Sequence, residues 1–409
     1  MSLDSAALPK LSEAVCPPLV CGTADLTTFA YHEHGIPALL DRLNQFHQDD
    51  PAEAWEYDAA IACQLAFRRA EGLELQDSAL ARSQLFRVYG NPSGNALRVL
   101  AIAAPGDLMI NTPLDFLTNH LDVRLDILYL RADGGLPAEV PEHDVAFFSV
   151  GEADPARLAR LQALFDNWPR PALNNPRFLP TLARDTLSRA LGGIAGISSP
   201  AAVAVGRAAL DAHLRDDSPI PGLPAPYPCI IRPATSHAGA GLQRIDDTAA
   251  MAEYLRFSFE KQYFVTRFVD YRSPDGLYRK SRVAFIDRAP FLCHMAVSQH
   301  WMVHYLNAGM TEAATKRDDE ARAMAGFDAG FARRHAAAFA ALHERLGFDL
   351  YSIDCAETQD GQLLVFEADT AAIIHLMDPP DIFPYKQPQM RRVFDAFGDL
   401  LRKAARPAG

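Results

Sequence analysis

Residues 351–375, YSIDCAETQDGQLLVFEADTAAIIH, decide how this chain is read. The alternating run YSIDCAE and the run QLLVFEAD flank Thr358-Gln359-Asp360-Gly361, so the stretch predicts a β-hairpin with an Asp-Gly turn signal. Glu367 and Asp369 lie two apart on the second strand and share a face. Asp354 comes close across from them if the strands pair around the turn. Three carboxylates on one face, among Leu363, Leu364, Val365 and Phe366, repel one another. A divalent cation removes that cost, and hard oxygen ligands suit Mg²⁺. The plainer reading is a solvated sheet face with scattered acids, and the apolar flanks weigh against it.

The whole chain sets bounds on that hairpin. Its 409 residues suffice for two to three domains. With 49% hydrophobic and 22% charged residues, the composition is that of a soluble globular protein. A net charge of -12 argues against nucleic acid or an anionic membrane as the main partner. No apolar run reaches the roughly 18 residues of a transmembrane helix. The start, MSLDSAALPKLSEAV, lacks the basic region and apolar core of a signal peptide. The six cysteines are scattered, as in a reduced, cytoplasmic chain. Cys16 and Cys21 form the only close pair, and His32 and His34 alone could complete a metal site with them.

Upstream, residues 1–35 read as an irregular arm. IPALLDRLNQFHQ is helical, Asp50 is a candidate N-cap with Pro51 in the first turn, and AEAWEYDAAIACQLAFRRA forms a second helix. GLELQDSALARSQLFRVYG repeats the same rhythm. Paired helices of this kind resemble a tetratricopeptide unit, too few to stand alone, so they are expected to cap the rest. Asn91 to Asn95 marks the first domain boundary. Beyond it, ALRVLAIAAPGD, RLDILYL and HDVAFFSVGE alternate with helices, which argues a small parallel α/β domain. Ligands of such sheets sit beyond the carboxyl ends of the strands, so Asn111 and Thr112 are candidates to touch a substrate. AAVAVGRAALDAHLR reads as a helix.

PCIIRPATSHAGAGLQRIDD places a strand before a small-residue loop. Gly239 and Gly241 lack Cβ atoms, so their N–H groups can approach phosphate. Ser236 and His237 add donors, and Arg232 at the strand end can neutralise charge. No Gly-Lys-Ser/Thr follows, and a plain hairpin turn fits the loop equally. Next comes a β-region dense in basic residues: Arg267, Arg272, Arg279, Lys280 and Arg282. Arg282 and Lys280 share a strand face and can hold a nucleotide triphosphate. A solvated, charge-protected edge is the rival for Arg272 and Arg288. QHWMVHYLNAGM contributes His300, His304 and Asn307, and the hairpin ends at His375.

These blocks, in this order, resemble the ATP-grasp superfamily. The likeness is to its carboxylate–amine ligases related to ribosomal-protein S6 glutamate ligase and glutathione synthetase, over roughly Ala96 to Leu401. The resemblance implies an α+β / α/β architecture: N-terminal helices over 1–90, a pre-ATP-grasp α/β domain over 96–170 and an ATP-grasp body over 171–405. It places ATP phosphates on Arg232, Ser236, His237, Gly239, Gly241 and Lys280, with Arg267 near the adenine. It assigns Mg²⁺ to Asp354, Glu367 and Asp369, and the transferred phosphoryl group to Arg282. His304 and Asn307 are then candidates for catalysis, and Asn111, Thr112, His300 and His375 for substrate. The family's turn-and-helix segment matches Asn174 or Asn175 and Arg184-Asp185. The chain departs from the pattern at Arg232 (usually Lys), Thr186 (a helix Lys), Asp369 (usually Asn) and the hinge Thr266-Arg267. The implied activity joins a substrate carboxylate, through an acylphosphate, to an amine. Partners implied are a small-molecule, amino-acid or peptide substrate, with a homodimer admitted. A nucleotide-binding pseudoenzyme or scaffold and a small-molecule kinase are the alternatives.

Overall fold

The computed structural model describes residues 8–131, 135–223, 226–236 and 239–406. His237 lies outside the described residues. The architecture is mixed α/β, with a mostly parallel sheet followed by two antiparallel ones.

The first sheet has six strands in the order Leu19–Val20, Leu85–Val88, Val123–Tyr129, Leu97–Ala103, Val145–Phe148, Ala172–Leu173. All pairs are parallel except Leu85–Val88 against Val123–Tyr129. Val145–Phe148 and residues 99–103 of the strand beside it are continuous apolar runs, as in a sheet covered on both faces, whereas Arg87, Arg124 and Asp126 interrupt the other two inner strands. Leu100, Ile102 and Phe147 are wholly buried.

The boundary expected at residues 91–95 does not separate two domains. Leu19–Val20 and Leu85–Val88 precede it in sequence yet belong to this sheet. The run SQLFRVYG, expected to continue a helix, leaves the helix after Arg82 and pairs Leu85 with Leu128 instead. The helices Ala52–Leu65 and Arg69–Arg82 form one pair. Gly72 lets them meet, since a Cβ there would lie 2.7 Å from the Ala60 carbonyl oxygen. The pair packs on the sheet through Tyr57, stacked on Phe86 with ring centroids 4.4 Å apart. It is a cap on the sheet rather than a repeat stack. Asp50 does not cap the first of these helices; its carboxylate is 3.0 Å from His47 Nδ1.

The second sheet runs Ala202–Gly206, Gln262–Arg267, Cys229–Pro233, Gln243–Ile245, all antiparallel. With the helices Arg207–Asp216 and Thr248–Phe257 it encloses a small core of its own around Leu210, Ile231 and Leu255. AAVAVGRAALDAHLR, expected to be one helix, is strand up to Gly206 and helix from Arg207. Val203 and Val205 find partners in Val265 and Tyr263, and this pairing overrides the local helical rhythm.

The third sheet runs Ala289–Ser298, Tyr278–Ile286, Leu350–Glu357, Leu363–Asp369, Ile197–Ser198, antiparallel except for the last pair. The predicted hairpin is its centre. On one face Phe285 stacks on Tyr351 at 4.7 Å, and Phe339 of the helix Ala336–Leu346 meets Phe285 edge-on at 5.1 Å. The helix Lys386–Ala405 ties this sheet to the first one, with Phe397 5.9 Å from Phe147 and Phe394 stacked on His120. The other face of the third sheet carries the charges.

Candidate active site

His294, Arg282, Asp354 and Glu367 stand in register on four neighbouring strands and form one row across the sheet. Arg282 grips Asp354 in two bonds, Nε to Oδ1 at 2.8 Å and Nη2 to Oδ2 at 3.2 Å. Lys280, on the same strand face, reaches Asp354 Oδ2 at 2.7 Å. Asp354 is only 5% exposed. Burial alone would raise its pKa; the two cations outweigh burial and hold the carboxyl well below the usual range. In the same way Asp354 holds the Arg282 guanidinium charged despite its own desolvation.

Glu367 is the next residue in the row and its side chain is 44% exposed. Arg184, opening the helix Arg184–Leu191, stands 3.9 Å from it. From the second sheet comes Arg232, whose Nε donates to Ser236 Oγ at 3.0 Å and whose Nη2 donates to the Ser236 carbonyl. Burial, with Arg184 beside it, pulls the Arg232 pKa down, against the attraction of Glu367. The loop that follows closes on His304. Gly239 has φ 78, and a Cβ there would lie 2.7 Å from His304 Nε2. Both the positive φ and the close approach require glycine. His304 is kept neutral by burial and by Lys280, although Glu367 and Asp354 pull the other way. Arg232, Ser236, Gly239, Lys280, Arg282, His304, Asp354 and Glu367 therefore meet in one crevice between the second and third sheets.

Asp369 Oδ1 accepts the Ala371 N–H at 2.7 Å. Burial pushes its carboxyl up to about 6, and Glu367 and Glu152 add to the effect. Negative charge is thus in excess where Glu152, Glu367 and Asp369 converge. A dication fits Glu367 and Asp369 on this ground. The expected third ligand differs: both Asp354 oxygens are held by Arg282 and Lys280, and it ligates only by giving one of them up. Among the described residues, only Cys21, His47 and Asp58 bring three candidate ligand atoms within 4.8 Å of one another, so Asp354, Glu367 and Asp369 share a face without reaching that spacing.

The remaining candidates divide. His375 is kept neutral, its pKa pushed down to about 4 by burial against the pull of Asp378. Its Nδ1 accepts the Met377 N–H at 3.2 Å. Thr112 and Asn111 do not present their side chains to a ligand. Thr112 Oγ1 donates to the Thr370 carbonyl at 2.8 Å, and the Asn111 amide exchanges two 2.8 Å bonds with the Ala104 backbone. Thr112 thereby joins the first sheet to the end of the carboxylate strand, and Asn111 braces the turn after Ala103. His300, Asn307 and Arg267 are exposed, with Asn307 closing a one-turn 3₁₀ segment through its N–H to the His304 carbonyl. Cys16, His32 and His34 are exposed and make no metal site with the buried Cys21.

Two groups were not singled out from the sequence. Arg184 enters the sequence reading only within a matched segment, and Glu152 only as the last residue of the run HDVAFFSVGE. Behind His304 lies a buried network. Tyr305 and Tyr385 donate to Glu320 Oε2 at 2.9 and 2.6 Å, the Met295 N–H donates to Oε1 at 2.9 Å, and Lys386 sits 3.0 Å from Asp378. Nothing local in the sequence marks Glu320 or Lys386, since the network is assembled from a strand, a loop and two helices.

The course of the chain is similar to that of several solved structures. One is a D-alanine–D-alanine ligase from Bacillus anthracis complexed with ATP, with 12% identity, 77% of this chain and 100% of that chain covered, and a TM-score of 0.44. Another is a D-alanyl-alanine synthetase A from Vibrio cholerae, with 11% identity, 76% and 99% covered, and a TM-score of 0.47. A third is an ATP-grasp protein with a RimK domain from Sphaerobacter thermophilus, with 18% identity, 75% and 99% covered, and a TM-score of 0.38. No protein-family model and no curated protein matches the sequence. Among the described residues no helix is long and apolar enough to cross a membrane.

Proposed function

We propose that the chain is an ATP-dependent, ADP-forming carboxylate–amine ligase of the ATP-grasp kind. The observation that carries this reading is the crevice itself. Arg184, Arg232, Lys280 and Arg282 converge with Glu367 and Asp369 beneath a loop whose Gly239 leaves no room for a side chain. A polyanion bound together with a divalent cation satisfies both sets of charges, and MgATP is such a ligand. Mg²⁺ held by Glu367 and Asp369 would supply charge neutralisation on the phosphates.

The chain's own residues do the rest. Arg232 and the N–H groups of Ser236, Gly239 and Gly241 hold phosphate oxygens. Arg282, fixed in position by Asp354, balances the charge that develops on the transferred phosphoryl group. A carboxylate oxygen of the substrate attacks the γ-phosphorus and ADP leaves, giving an acylphosphate. The amine nitrogen of a second substrate then attacks the acyl carbon, and inorganic phosphate leaves as the amide forms. His304, held neutral in the crevice, accepts the proton the amine gives up. Amino acids and peptides are the substrate class that offers both groups.

The test is calorimetric titration of ATP with and without Mg²⁺, on the wild type and on Glu367→Gln, followed by an ADP-release screen of amino acids and peptides. Metal-dependent binding lost in the variant, with ADP released only when carboxylate and amine are both present, is the expected result. A folded wild type that does not bind MgATP overturns the reading. A stable phosphorylated product in place of an amide would convert it to a kinase.

A further inference from the structure

We propose a second metal centre, for a zinc-type dication, in the N-terminal region on Cys21, His47 and Asp58. Three separate segments supply the donors. Cys21 follows the edge strand Leu19–Val20, His47 ends the helix Leu39–Phe46, and Asp58 lies in mid-helix on Ala52–Leu65. Their ligand atoms all lie within 4.8 Å of one another, and the three residues are 3%, 7% and 0% exposed.

The surroundings orient two of the donors. His47 Nδ1 is bonded to Asp50 Oδ2 at 3.0 Å, which leaves Nε2 pointing at Asp58 Oδ2, 2.9 Å away. A carboxylate on the far nitrogen is the usual device for orienting a metal-binding histidine. The backbone N–H groups of Cys21 and Gly22 donate to the Asp58 oxygens at 2.5 and 3.2 Å and fix that carboxylate.

Sulfur beside imidazole and carboxylate has little other use here. At 3% exposure the Cys21 thiol is shut away from solvent, which does not suit a nucleophile. Metal binding exchanges two protons, one from the thiol and one from His47 Nε2, for one dication. Thiolate, neutral imidazole, carboxylate and dication then sum to zero charge in a dry site. One soft donor and one imidazole select zinc over Mg²⁺, so this centre is chemically distinct from the nucleotide crevice. Three protein ligands leave one tetrahedral position for water. The centre would pin the short elements of residues 19–47 onto the helix pair, binding energy acting directly as folding energy.

The test uses the full chain, stripped with chelator under reducing conditions and titrated with Co²⁺, then Zn²⁺. The expected result is a thiolate-to-cobalt charge-transfer band that saturates at one equivalent per chain and is abolished by Zn²⁺. It should persist in Glu367→Gln and vanish in Cys21→Ser, with circular dichroism confirming that both variants are folded. No band in the folded wild type overturns the proposal, and this arm needs no variant. A band retained in Cys21→Ser puts the metal on another cysteine and overturns it equally.

Discussion

Arg87 faces Asp126 across antiparallel strands of the first sheet, as Arg282 faces Asp354 in the third. Each guanidinium holds its carboxylate in two bonds, at 2.6 and 3.1 Å in the first case and 2.8 and 3.2 Å in the second. Each aspartate is nearly dry and has a second cation beside it, Arg124 at 3.5 Å and Lys280 at 2.7 Å. The difference lies one strand further on. Asp126 neighbours Leu100, whereas Asp354 neighbours Glu367. The first cluster ends in apolar core. The second continues into charge that is not fully matched: Glu367, Asp369 and Glu152 on one side, Arg184 and Arg232 on the other. A buried bidentate pair is therefore not in itself a site. The unmatched charge next to it is what a ligand can answer.

Exchanging the two arginines for methionine separates these roles. Arg282→Met is expected to lower ADP release by about 10²- to 10³-fold, the scale of losing a charge-stabilising group in the transition state. Lys280 still neutralises Asp354, so the variant should remain folded by thermal melt. Arg87→Met is expected to leave kcat unchanged and to lower stability by about 3 kcal/mol, because it breaks a largely buried pair. The comparison breaks if Arg87→Met loses activity at an unchanged melting temperature.

How far the sequence carried depended on the range of the interaction. The carboxylate hairpin was legible because period-two alternation and an Asp-Gly turn are local signals, and Asp354 does pair with Glu367. The shared face of Lys280 and Arg282 was legible for the same reason. What neutralises Asp354 was not, because that depends on which strand lies beside it. The small domain was legible in its apolar strands but not in its extent, since pairing of Leu85–Val88 with Val123–Tyr129 is a long-range choice. Asn111 and Thr112 lie beyond the end of the strand Leu97–Ala103, and only the fold shows their side chains consumed by backbone. The Cys21, His47 and Asp58 cluster spans an edge strand and two helices with no regular spacing, and the sequence suggested other partners for Cys21.

A third buried carboxylate sharpens the contrast. Asp115 has backbone donors instead of a cation, with the Ala24 N–H at 2.7 Å from Oδ2. Burial pushes its pKa from 3.8 up to about 6, against the backbone hydrogen bonds. Between these values the folded chain keeps a proton that the unfolded chain has lost. Stability therefore falls as pH rises from about 4 to about 6, and is flat in this respect outside that window. The cost is on the order of 3 kcal/mol for a shift of about two units. Asp115→Asn keeps an acceptor for Ala24 and removes the titration. Urea midpoints from pH 4 to pH 7 should fall in the wild type relative to the variant, and parallel curves would show that the site is solvated.

The smallest expected effects test whether the crevice ends where its unmatched charge ends. His304 and His300 lie four residues apart on one connection. His304 meets the Gly239 loop and feels Lys280, Glu367 and Asp354, while His300 is exposed at the end of the strand Ala289–Ser298. If His304 takes the amine proton, His304→Gln lowers kcat by about 10²-fold, the ordinary scale of general-base catalysis. Gln also preserves contact with the loop, so ATP affinity should change little. His300→Ala, outside the charged row, should alter kcat and KM by less than about twofold, within the usual range for a surface substitution. Equal losses in the two variants would mean that the whole 299–307 segment moves as a lid over the crevice. Its histidines would then act through closure rather than by taking a proton, and the His304 assignment would fall while the Arg282 row stood.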